Sequence, residues 1–259
     1  TTSGYQNVVL YKNYRCEGPK DAIVIDHTIN INGNGHTIDC AGKSNGFIFR
    51  DCADNLKNLR ITGFAGTSSS SSYAISVESV TKSSKIENCI FEGNSHSVLS
   101  FAKSDKCTIS NCIFRNNSAR GAEIFYGTGN NVMTGCIFEN NGRFTSNEGY
   151  DTDKIISLKN EFLVENCIFE NNVAKMGIVY FEDTMYRPCV KKCFFGAAQT
   201  DEDYGLIYCD GPNKIEESIE KHKALIDKYK VDVISIGNGT ASKEAEIFVA
   251  ELIKHTLRP

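Results

Sequence analysis

The sequence is informative first through what it lacks. It has no tryptophan, and none of its apolar runs approaches the roughly 18–20 residues of a membrane-spanning helix. It contains no GxSxG, HExxH or P-loop motif, and its five histidines do not follow the spacing of a metal site. These absences argue against a membrane span and against the enzyme classes that those motifs identify. We expect neither a cofactor nor a metal.

The charge balance argues against nucleic acid and anionic membranes as partners. Lys and Arg number 28 against 32 Asp and Glu, which gives a formal net charge of −4. This balance provides no overall attraction to nucleic acid or to an anionic membrane. The opening residues TTSGYQNVVLYKNYRC lack the basic start and the apolar stretch of a signal peptide. We therefore expect either a chain that stays inside the cell or one whose leader was removed.

A short cysteine motif recurs through most of the chain. NCIF occurs at 88–91, 111–114 and 166–169, and GCIF occurs at 135–138. Alignment on this motif marks seven equivalent positions at intervals of 23 to 31 residues. The marked positions are Ile29, Leu59, Cys89, Cys112, Cys136, Cys167 and Cys193. A period of this length is typical of solenoids, propellers and repeat arrays.

The apolar spacing inside each repeat indicates strands rather than helices. Apolar residues alternate, as in Ile86, Cys89 and Phe91, and Asn or Gly follows at once. A second short apolar run separates successive motifs, as in GIVYFED at 177–183. Stacked repeats, about 4.8 Å apart, would bury a core that no single repeat could bury alone. The sequence predicts a mainly β protein, a right-handed parallel β-helix of seven or eight coils over residues 1–211.

Stacking would align equivalent side chains of successive coils into columns. A core column of small thiols would contain Cys89, Cys112, Cys136, Cys167 and Cys193. A core column of rings would contain Phe91, Phe114, Phe138, Phe169 and Phe195. The Asn pairs 116–117, 140–141 and 171–172 would lie at a bend, where Asn tolerates positive φ. Asn117, Asn141 and Asn172 are therefore candidates for stacked side-chain amides.

Disulfides and metal sites are the alternative explanation of the cysteines. Stacked side chains point the same way, so bridges between them would depart from ordinary disulfide geometry. No CxxC pair or Cys/His cluster has zinc-site spacing. Away from the column, Cys40–Cys52 or Cys189–Cys209 could pair in an oxidising compartment, and the sequence leaves that pairing open.

Candidate chemistry on the predicted β-helix is confined to a few acidic residues. Asp26 and His27 superficially resemble a polysaccharide lyase segment, but an exposed strand position explains the aspartate equally well. Acidic loop residues could bind Ca²⁺ or another ligand, although such clusters are usually just solvated. They are Asp151, Asp153, Asp201 and Asp203. None of these residues is assigned a catalytic role.

The last 48 residues differ in composition from the rest. From Pro212 onward there is no cysteine, and 16 residues are charged. Helical spacing over 213–229, the strand-like VDVISI at 231–236 and a second amphipathic run over 243–255 predict an α-β-α appendage. Such an appendage could cap the open end of the predicted β-helix. The GxG before the last run is only a weak nucleotide-binding signal.

Two resemblances to known families support this division. The run HTININGNGHTIDC at 27–40, followed by coils of the NCIF type, resembles adhesin-like β-helix proteins of archaeal and bacterial surfaces, and polymorphic outer-membrane-type proteins use a similar coil. This resemblance covers residues 1–209 and implies the fold more than a site.

The tail resembles a fragment of another family. The run DKYKVDVISIGNGTASKEAEIFVAELIKH is similar to the RNase H-like segment of the transcription accessory protein Tex, over residues 206–259. The turn that carries the resemblance contains Gly237, Asn238, Gly239 and Thr240. That family acts in the cytoplasm and binds nucleic acid, but the opening strands of its domain and its RNA-binding modules have no counterpart in this sequence.

Together these patterns favour a non-catalytic, adhesin-like β-helix that is secreted or lies at the cell surface. Its partners would be a carbohydrate or a host or cell-surface protein, bound by exposed faces and loops. One alternative is a polysaccharide-active enzyme, which would place carboxylates with Lys or Arg on one outward face. The other is a cytoplasmic protein associated with nucleic acid, as the Tex-like tail implies. The sequence does not predict an oligomeric state.

Overall fold

The computed structural model describes residues 6–17, 23–42, 46–50, 55–66, 73–78, 83–101, 106–119, 122–182, 188–202, 204–209 and 249. The chain divides into two compact units, Thr1–Asp210 and Gly211–Pro259. In the second unit only Val249 is described, and it is helical. The predicted α-β-α appendage, including the turn at Gly237–Thr240, therefore lies outside the described residues.

The first unit consists of short strands. The first fourteen are β1 (Gln6–Val9), β2 (Tyr14–Arg15), β3 (Ile23–Ile25), β4 (Ile29–Asn32), β5 (Thr37–Asp39), β6 (Phe47–Arg50), β7 (Asn55–Lys57), β8 (Arg60–Thr62), β9 (Ile75–Glu78), β10 (Lys85–Glu87), β11 (Ile90–Glu92), β12 (Leu99–Phe101), β13 (Thr108–Ser110) and β14 (Ile113–Arg115). The others are β15 (Glu123–Gly127), β16 (Val132–Thr134), β17 (Ile137–Glu139), β18 (Phe144–Thr145), β19 (Gly149–Tyr150), β20 (Lys154–Leu158), β21 (Leu163–Glu165), β22 (Ile168–Glu170), β23 (Asn172–Val173), β24 (Val179–Phe181), β25 (Cys189–Lys191), β26 (Phe194–Phe195), β27 (Ala198–Gln199) and β28 (Ile207–Cys209).

Twenty-four of these strands form three parallel sheets of eight strands each. Sheet A has the order β1-β4-β7-β10-β13-β16-β21-β25, and sheet B has the order β2-β5-β8-β11-β14-β17-β22-β26. Sheet C has the order β3-β6-β9-β12-β15-β20-β24-β28. Each coil contributes one strand to each sheet, so the predicted right-handed parallel β-solenoid is confirmed.

The core is built from columns of equivalent residues. In sheet B the register pairs Phe91 with Phe114, Phe114 with Phe138 and Phe138 with Phe169. All four rings are at most 1% exposed. Successive ring centroids lie 4.4 to 5.0 Å apart, and the rings are stacked. Because apolar residues of one coil cover those of the next, the core runs along the solenoid axis.

The residue before each cysteine makes the bend between sheets A and B. Asn88, Asn111 and Asn166 have φ of 52° to 54°, and Gly135 has φ of 63°. Asn and Gly are the residues that adopt this left-handed conformation most readily. The recurrence of Asn or Gly before CIF thus reflects one backbone requirement in each coil.

One position of the sequence alignment is wrong. Ile29 is not the counterpart of Leu59, because Ile29 lies in sheet A, opposite Gln6. The pairing of Thr37 with Arg60 places His36 beside Leu59 instead. Inward apolar and outward side chains alternate in the same way in the sheet A strand and the sheet B strand of a coil. The apolar pattern alone therefore could not distinguish these two strands.

Candidate functional site

The second Asn of each predicted pair forms a buried amide ladder. The Nδ2 atom of Asn94 donates to Oδ1 of Asn117 at 2.9 Å, Asn117 donates to Asn141 at 3.0 Å, and Asn141 donates to Asn172 at 2.9 Å. These four side chains are at most 2% exposed. Because the amides satisfy one another inside the core, the ladder serves the fold and presents no ligand-binding group.

The five cysteines of the predicted column also serve the core. Cys89, Cys112, Cys136 and Cys167 are at most 1% exposed, while Cys193 in the last coil is half-buried. Each thiol donates to the carbonyl oxygen two residues before it, at 3.3 to 3.5 Å. Hydrogen bonding between neighbouring thiols, together with burial, raises the pKa of Cys112, whereas hydrogen bonds from Cys112 and Cys167 lower the pKa of Cys136 to about 4. Because Cys89, Cys112, Cys136 and Cys167 are almost completely buried, none of the four thiols is accessible to a substrate.

Cys16, Cys40 and Cys189 are free thiols as well. Cys16 and Cys40 occupy neighbouring positions of adjacent coils, since the residues just before them, Arg15 and Asp39, are paired in sheet B. Burial raises the pKa of Cys40 to about 12, and the adjacent Cys16 thiol adds to that shift. Cys189 is exposed. Because Cys40 and Cys189 are free thiols, the structure shows neither of the two possible pairings, whose other members, Cys52 and the side chain of Cys209, lie outside the described residues.

The described acidic candidates do not form a metal-binding group. Asp151 accepts from the backbone N–H of Arg143 at 2.7 Å and pairs with its Nε at 2.9 Å, which fastens the β18–β19 hairpin. Asp153 directly precedes β20, and Asp201 lies in a bend near the C-terminal end of the solenoid. Asp203 is not described. Among the described residues no group of three or more His, Cys, Asp or Glu could hold a metal ion.

Asp26 and His27 contact only each other among the contacts that the structure shows. The His27 Nδ1 atom lies 3.3 Å from Asp26 Oδ1, and both side chains are exposed. They follow β3 in the first coil, and no other described carboxylate or lysine is shown to pair with them. This arrangement is that of two solvated surface residues.

A different group of residues gathers on the outward face of sheet C. We call it the Tyr–Glu cluster. Its members are Tyr73, Glu123, Tyr126, Lys154, Ser157, Tyr180 and Glu182. They come from coils three to seven, which parallel pairing brings side by side. Two carboxylates and a lysine on one outward face are the feature that the enzyme alternative predicted.

Hydrogen bonds hold the two carboxylates of the cluster. The Tyr73 hydroxyl donates to Glu123 Oε1 at 2.7 Å. On Glu182, Ser157 donates to Oε1 at 2.7 Å and the Tyr126 hydroxyl donates to Oε2 at 3.3 Å. Both glutamates are half-buried, so each retains access to solvent.

Lys154 is held between a carboxylate and an aromatic ring. Its Nζ atom lies 3.8 Å from Glu182 Oε1 and 4.1 Å from the centroid of the Tyr180 ring. The lysine side chain is only 16% exposed and that of Glu182 is 26% exposed. Attraction to the carboxylate and to the face of the ring both stabilise the ammonium in this partly desolvated position.

The register of sheet C places serines and tyrosines alternately on its outward face. One outward column reads Ser100, Tyr126, Ser157, Tyr180 through four successive coils. Each small serine lies beside a large tyrosine, and both serines are fully buried although they point away from the core. Small and large side chains alternate along this column, in which Tyr126 is half-buried and Tyr180 is only 5% exposed.

Burial changes the ionisation of the cluster. It raises the pKa of Glu123, although the Tyr73 hydrogen bond and the Lys154 charge oppose that shift. Burial and the Glu182 charge raise the pKa of Tyr126 to about 12. Burial, followed by the Glu123 charge, also raises the pKa of Tyr73. Both tyrosines therefore keep their protons at neutral pH and act as hydrogen-bond donors.

The other two faces have simpler chemistry. Sheet A carries a shallow groove of about 450 Å³ over its first four strands, where the amides of Asn7, Asn30 and Asn55 bond to one another. Sheet B carries an outward row of aliphatic side chains, because the Ile of each CIF motif points away from the core. That row contains Ile90, Ile113, Ile137 and Ile168, and the ring of Phe194 occupies the same position in the last coil.

An ion-pair ladder runs beside the aliphatic row of sheet B. Glu92 pairs with Arg60 at 2.6 Å and with Arg115 at 2.9 Å. Arg115 also lies 3.9 Å from Glu139. These charges compensate one another along the sheet. Within the described residues, the Tyr–Glu cluster is therefore the group in which polar, aromatic and ionisable side chains are most closely combined.

The pKa of Glu123 predicts a pH-dependent stability. Because burial raises this pKa above its ordinary value of 4.5, the folded chain holds the proton more tightly than the unfolded chain. The stabilising contribution is complete below the ordinary pKa and is lost as pH rises through the raised one. Urea unfolding from about pH 4 to about pH 7 should show wild type losing stability relative to Glu123→Gln. Parallel curves would contradict the burial of this carboxyl.

Comparison with protein families agrees with the fold. The model of the right-handed β-helix region matches residues 16–217, which is more than three quarters of the chain. The chain belongs to the right-handed β-helix family. A helix long and apolar enough to cross a membrane does not occur in the part of this family member that the structure describes.

The C-terminal part of this right-handed β-helix protein matches a second family. The YqgF-like domain of the Tex protein matches residues 178–259, as the sequence resemblance predicted. The overlap with the first match spans 178–217, and its described residues form strands of the solenoid, from β24 to β28. The solenoid therefore continues through the first thirty or so residues of the Tex-like match.

One curated protein is similar to part of the chain. The protein described as "Uncharacterized protein YdcI", from Bacillus subtilis (strain 168), is 42% identical over 50 residues, which is 19% of this chain. The match covers only 7% of that protein's length. No solved structure matches the chain.

Proposed function

We propose that this right-handed β-helix binds carbohydrate without cleaving it, through the outward face of sheet C. The observation that carries the proposal is the Tyr–Glu cluster, in which both carboxylates are already oriented by hydroxyl donors from other coils. Sugars offer hydroxyl groups that carboxylates accept and apolar C–H faces that tyrosine rings cover. A half-buried surface with a few oriented polar groups supports such recognition.

The ligand would run along the solenoid rather than across it. The cluster extends from Tyr73 in the third coil to Glu182 beside the seventh, through coils spaced about 4.8 Å apart. That extent is roughly 20 Å, which suits several sugar units of one chain. Because the supporting side chains come from rigid parallel strands, binding would require little ordering of the protein.

Catalysis by the same cluster is the second candidate. Two glutamates lie on one face, and burial raises the pKa of Glu123, as a general acid requires. Against it, Glu182 accepts from two hydroxyl groups and pairs with Lys154, so both of its oxygens are already engaged. Incubation with polysaccharides tests this candidate, since an enzyme would release reducing ends or unsaturated products.

A location at the cell surface accompanies the proposal, because extracellular polysaccharide is available there. Mild surface proteolysis of intact cells, followed by fractionation, tests the location. A cytosolic chain would instead favour a role for the Tex-like residues, and salt-sensitive binding of RNA would then be expected. The formal net charge of −4 opposes that role.

The proposal predicts the effect of removing one tyrosine. Tyr126→Ala should weaken binding of oligosaccharides, found on a glycan array with the full chain, by about tenfold, because it removes both a ring and the hydroxyl that orients Glu182. Calorimetry with the best array ligand measures the change. Ile137→Ala, on the outward face of sheet B, is the matched control and should bind as wild type does.

Two outcomes would oppose the proposal. Equal affinities of wild type and Tyr126→Ala would move the site away from sheet C. Loss of binding in a variant of the amide groove, such as Asn30→Ala, would identify the groove of sheet A as the site.

A further inference from the structure

The charges of the Tyr–Glu cluster do not balance. It contains two carboxylates, Glu123 and Glu182, and one ammonium, Lys154. The ammonium lies 3.8 Å from Glu182 and faces the Tyr180 ring at 4.1 Å, so it is already engaged. Within the described chain no ion pair joins Glu123 to a cation, and its shown side-chain partner is the neutral Tyr73 hydroxyl.

Among the described residues, four charged or titratable groups act on Glu123. Tyr73 precedes β9, Tyr126 lies on the same strand as Glu123, Lys154 begins β20 and Glu182 follows β24. The lysine charge favours the ionised carboxylate, whereas the Glu182 charge opposes it. Within the described part of the chain, Glu123 is therefore a half-buried carboxylate that forms no ion pair and is only partly compensated by the Lys154 charge.

The sign of this imbalance excludes one class of sugar. The carboxylate of a uronic acid would approach two glutamates, and the single ammonium is already shared between Glu182 and a ring. Like charges in a partly desolvated site repel strongly. A ligand with a protonated amine would be attracted to the two glutamates, because it would supply the cation that Glu123 lacks. The amine could also lie against the tyrosine rings.

We propose that the Tyr–Glu cluster selects carbohydrates that carry a free amino group, with Glu123 as the group that pairs with the amine. This inference rests on the proposed carbohydrate-binding function and names the substrate class of the same site. Oligosaccharides of deacetylated amino sugars belong to this class, whereas their acetylated forms are neutral and uronate oligosaccharides are anionic.

The proposal includes a pH dependence with a definite sign. A cationic amine pairs with the ionised form of Glu123. At pH values where this carboxyl is protonated, binding must therefore displace its proton. Burial raises the pKa of Glu123, which extends that protonated range upward. Affinity for the amine-bearing ligand should therefore fall as pH falls through the pKa of Glu123, while affinity for the acetylated ligand should change little.

The test is calorimetry of the full chain with three oligosaccharides of equal length. The probes are glucosamine, N-acetylglucosamine and galacturonic acid oligomers. We expect the glucosamine oligomer to bind at least about tenfold more tightly than the acetylated one, which corresponds to about 1.4 kcal/mol. The galacturonate oligomer should show no binding. Raising the salt concentration should weaken only the glucosamine interaction.

A variant pair assigns the preference to Glu123. Glu123→Gln should bind the glucosamine oligomer and the N-acetylglucosamine oligomer equally, because the substitution keeps the shape of the side chain and removes its charge. Glu87→Gln removes the same charge from the outward face of sheet A and should keep the wild-type preference. Thermal unfolding of both variants establishes that they are folded.

The outcomes separate this inference from the proposed function. Equal binding of the acetylated and free glucosamine oligomers by wild type would overturn the amine preference and leave carbohydrate binding in place. A preference that persisted in Glu123→Gln would place the amine elsewhere and overturn the role of Glu123. If the folded protein bound none of the three oligomers and no glycan on the array, both the amine preference and the proposed carbohydrate binding would be overturned.

Discussion

Replacing Phe114 with alanine is expected to destabilise the solenoid by about 3–5 kcal/mol. Its ring is fully buried and lies 4.8 Å from the ring of Phe91 and 4.4 Å from that of Phe138, in the middle of the stack. It also meets Phe125 of sheet C edge-on at 6.4 Å. Truncation would leave a cavity that rigid neighbouring coils cannot close. Urea unfolding followed by circular dichroism measures the loss.

The neighbouring residue supplies the control for Phe114. Ile113 precedes it on β14 but points outward and is half-buried. Ile113→Ala should cost no more than about 1 kcal/mol, because solvent already reaches this side chain. If the two variants lost similar stability, the alternation of inward and outward positions in sheet B would be wrong.

Asn141→Ala is expected to cost about 2–5 kcal/mol, because it breaks the amide ladder at an interior rung. The Nδ2 atom of Asn141 donates to Asn172 Oδ1 and to the Phe114 carbonyl oxygen, both at 2.9 Å. Its Oδ1 atom accepts from the backbone N–H and the side-chain amide of Asn117, at 3.1 and 3.0 Å. Alanine would leave two or more of these buried partners unsatisfied, and chemical unfolding measures the loss.

The adjacent asparagine provides a contrast for Asn141. Asn140 is exposed and has φ of 54°, a conformation that glycine adopts without strain. Asn140→Gly should therefore change the unfolding free energy by less than about 1 kcal/mol. A large loss from Asn140→Gly together with a small loss from Asn141→Ala would reverse the roles that the structure gives to the two residues.

The columns could be predicted from sequence because each depends on a local pattern that repeats. The motif NCIFxNN places Cys, Phe and the second Asn at fixed positions of every coil, so the period alone aligns Phe114 with Phe138 and Asn117 with Asn141. The same logic failed for Ile29, where the bend of Gly33–His36 is longer than the later bends. A longer bend shifts the alignment without changing the apolar alternation.

The Tyr–Glu cluster could not be predicted in the same way. Tyr73 and Glu123 are 50 residues apart, and Tyr126 and Glu182 are 56 residues apart. These separations reflect loops of different length between coils, so no fixed period relates the members. Their alignment depends on the pairing register of sheet C, which only the structure shows. Glu182 reaches the cluster from just beyond the end of β24, where a repeat pattern gives no expectation.

The central claim is that the outward face of sheet C receives the carbohydrate, and side-chain footprinting tests it most directly. Hydroxyl-radical oxidation of the full chain, read by mass spectrometry, reports the exposure of individual side chains with and without glucosamine oligomers. We expect oxidation of Tyr73 and Tyr126 to fall when the oligomer is present, while Ile168 and Phe194 of sheet B keep their rates. Protection confined to sheet A or sheet B, with both tyrosines unchanged, would contradict the account.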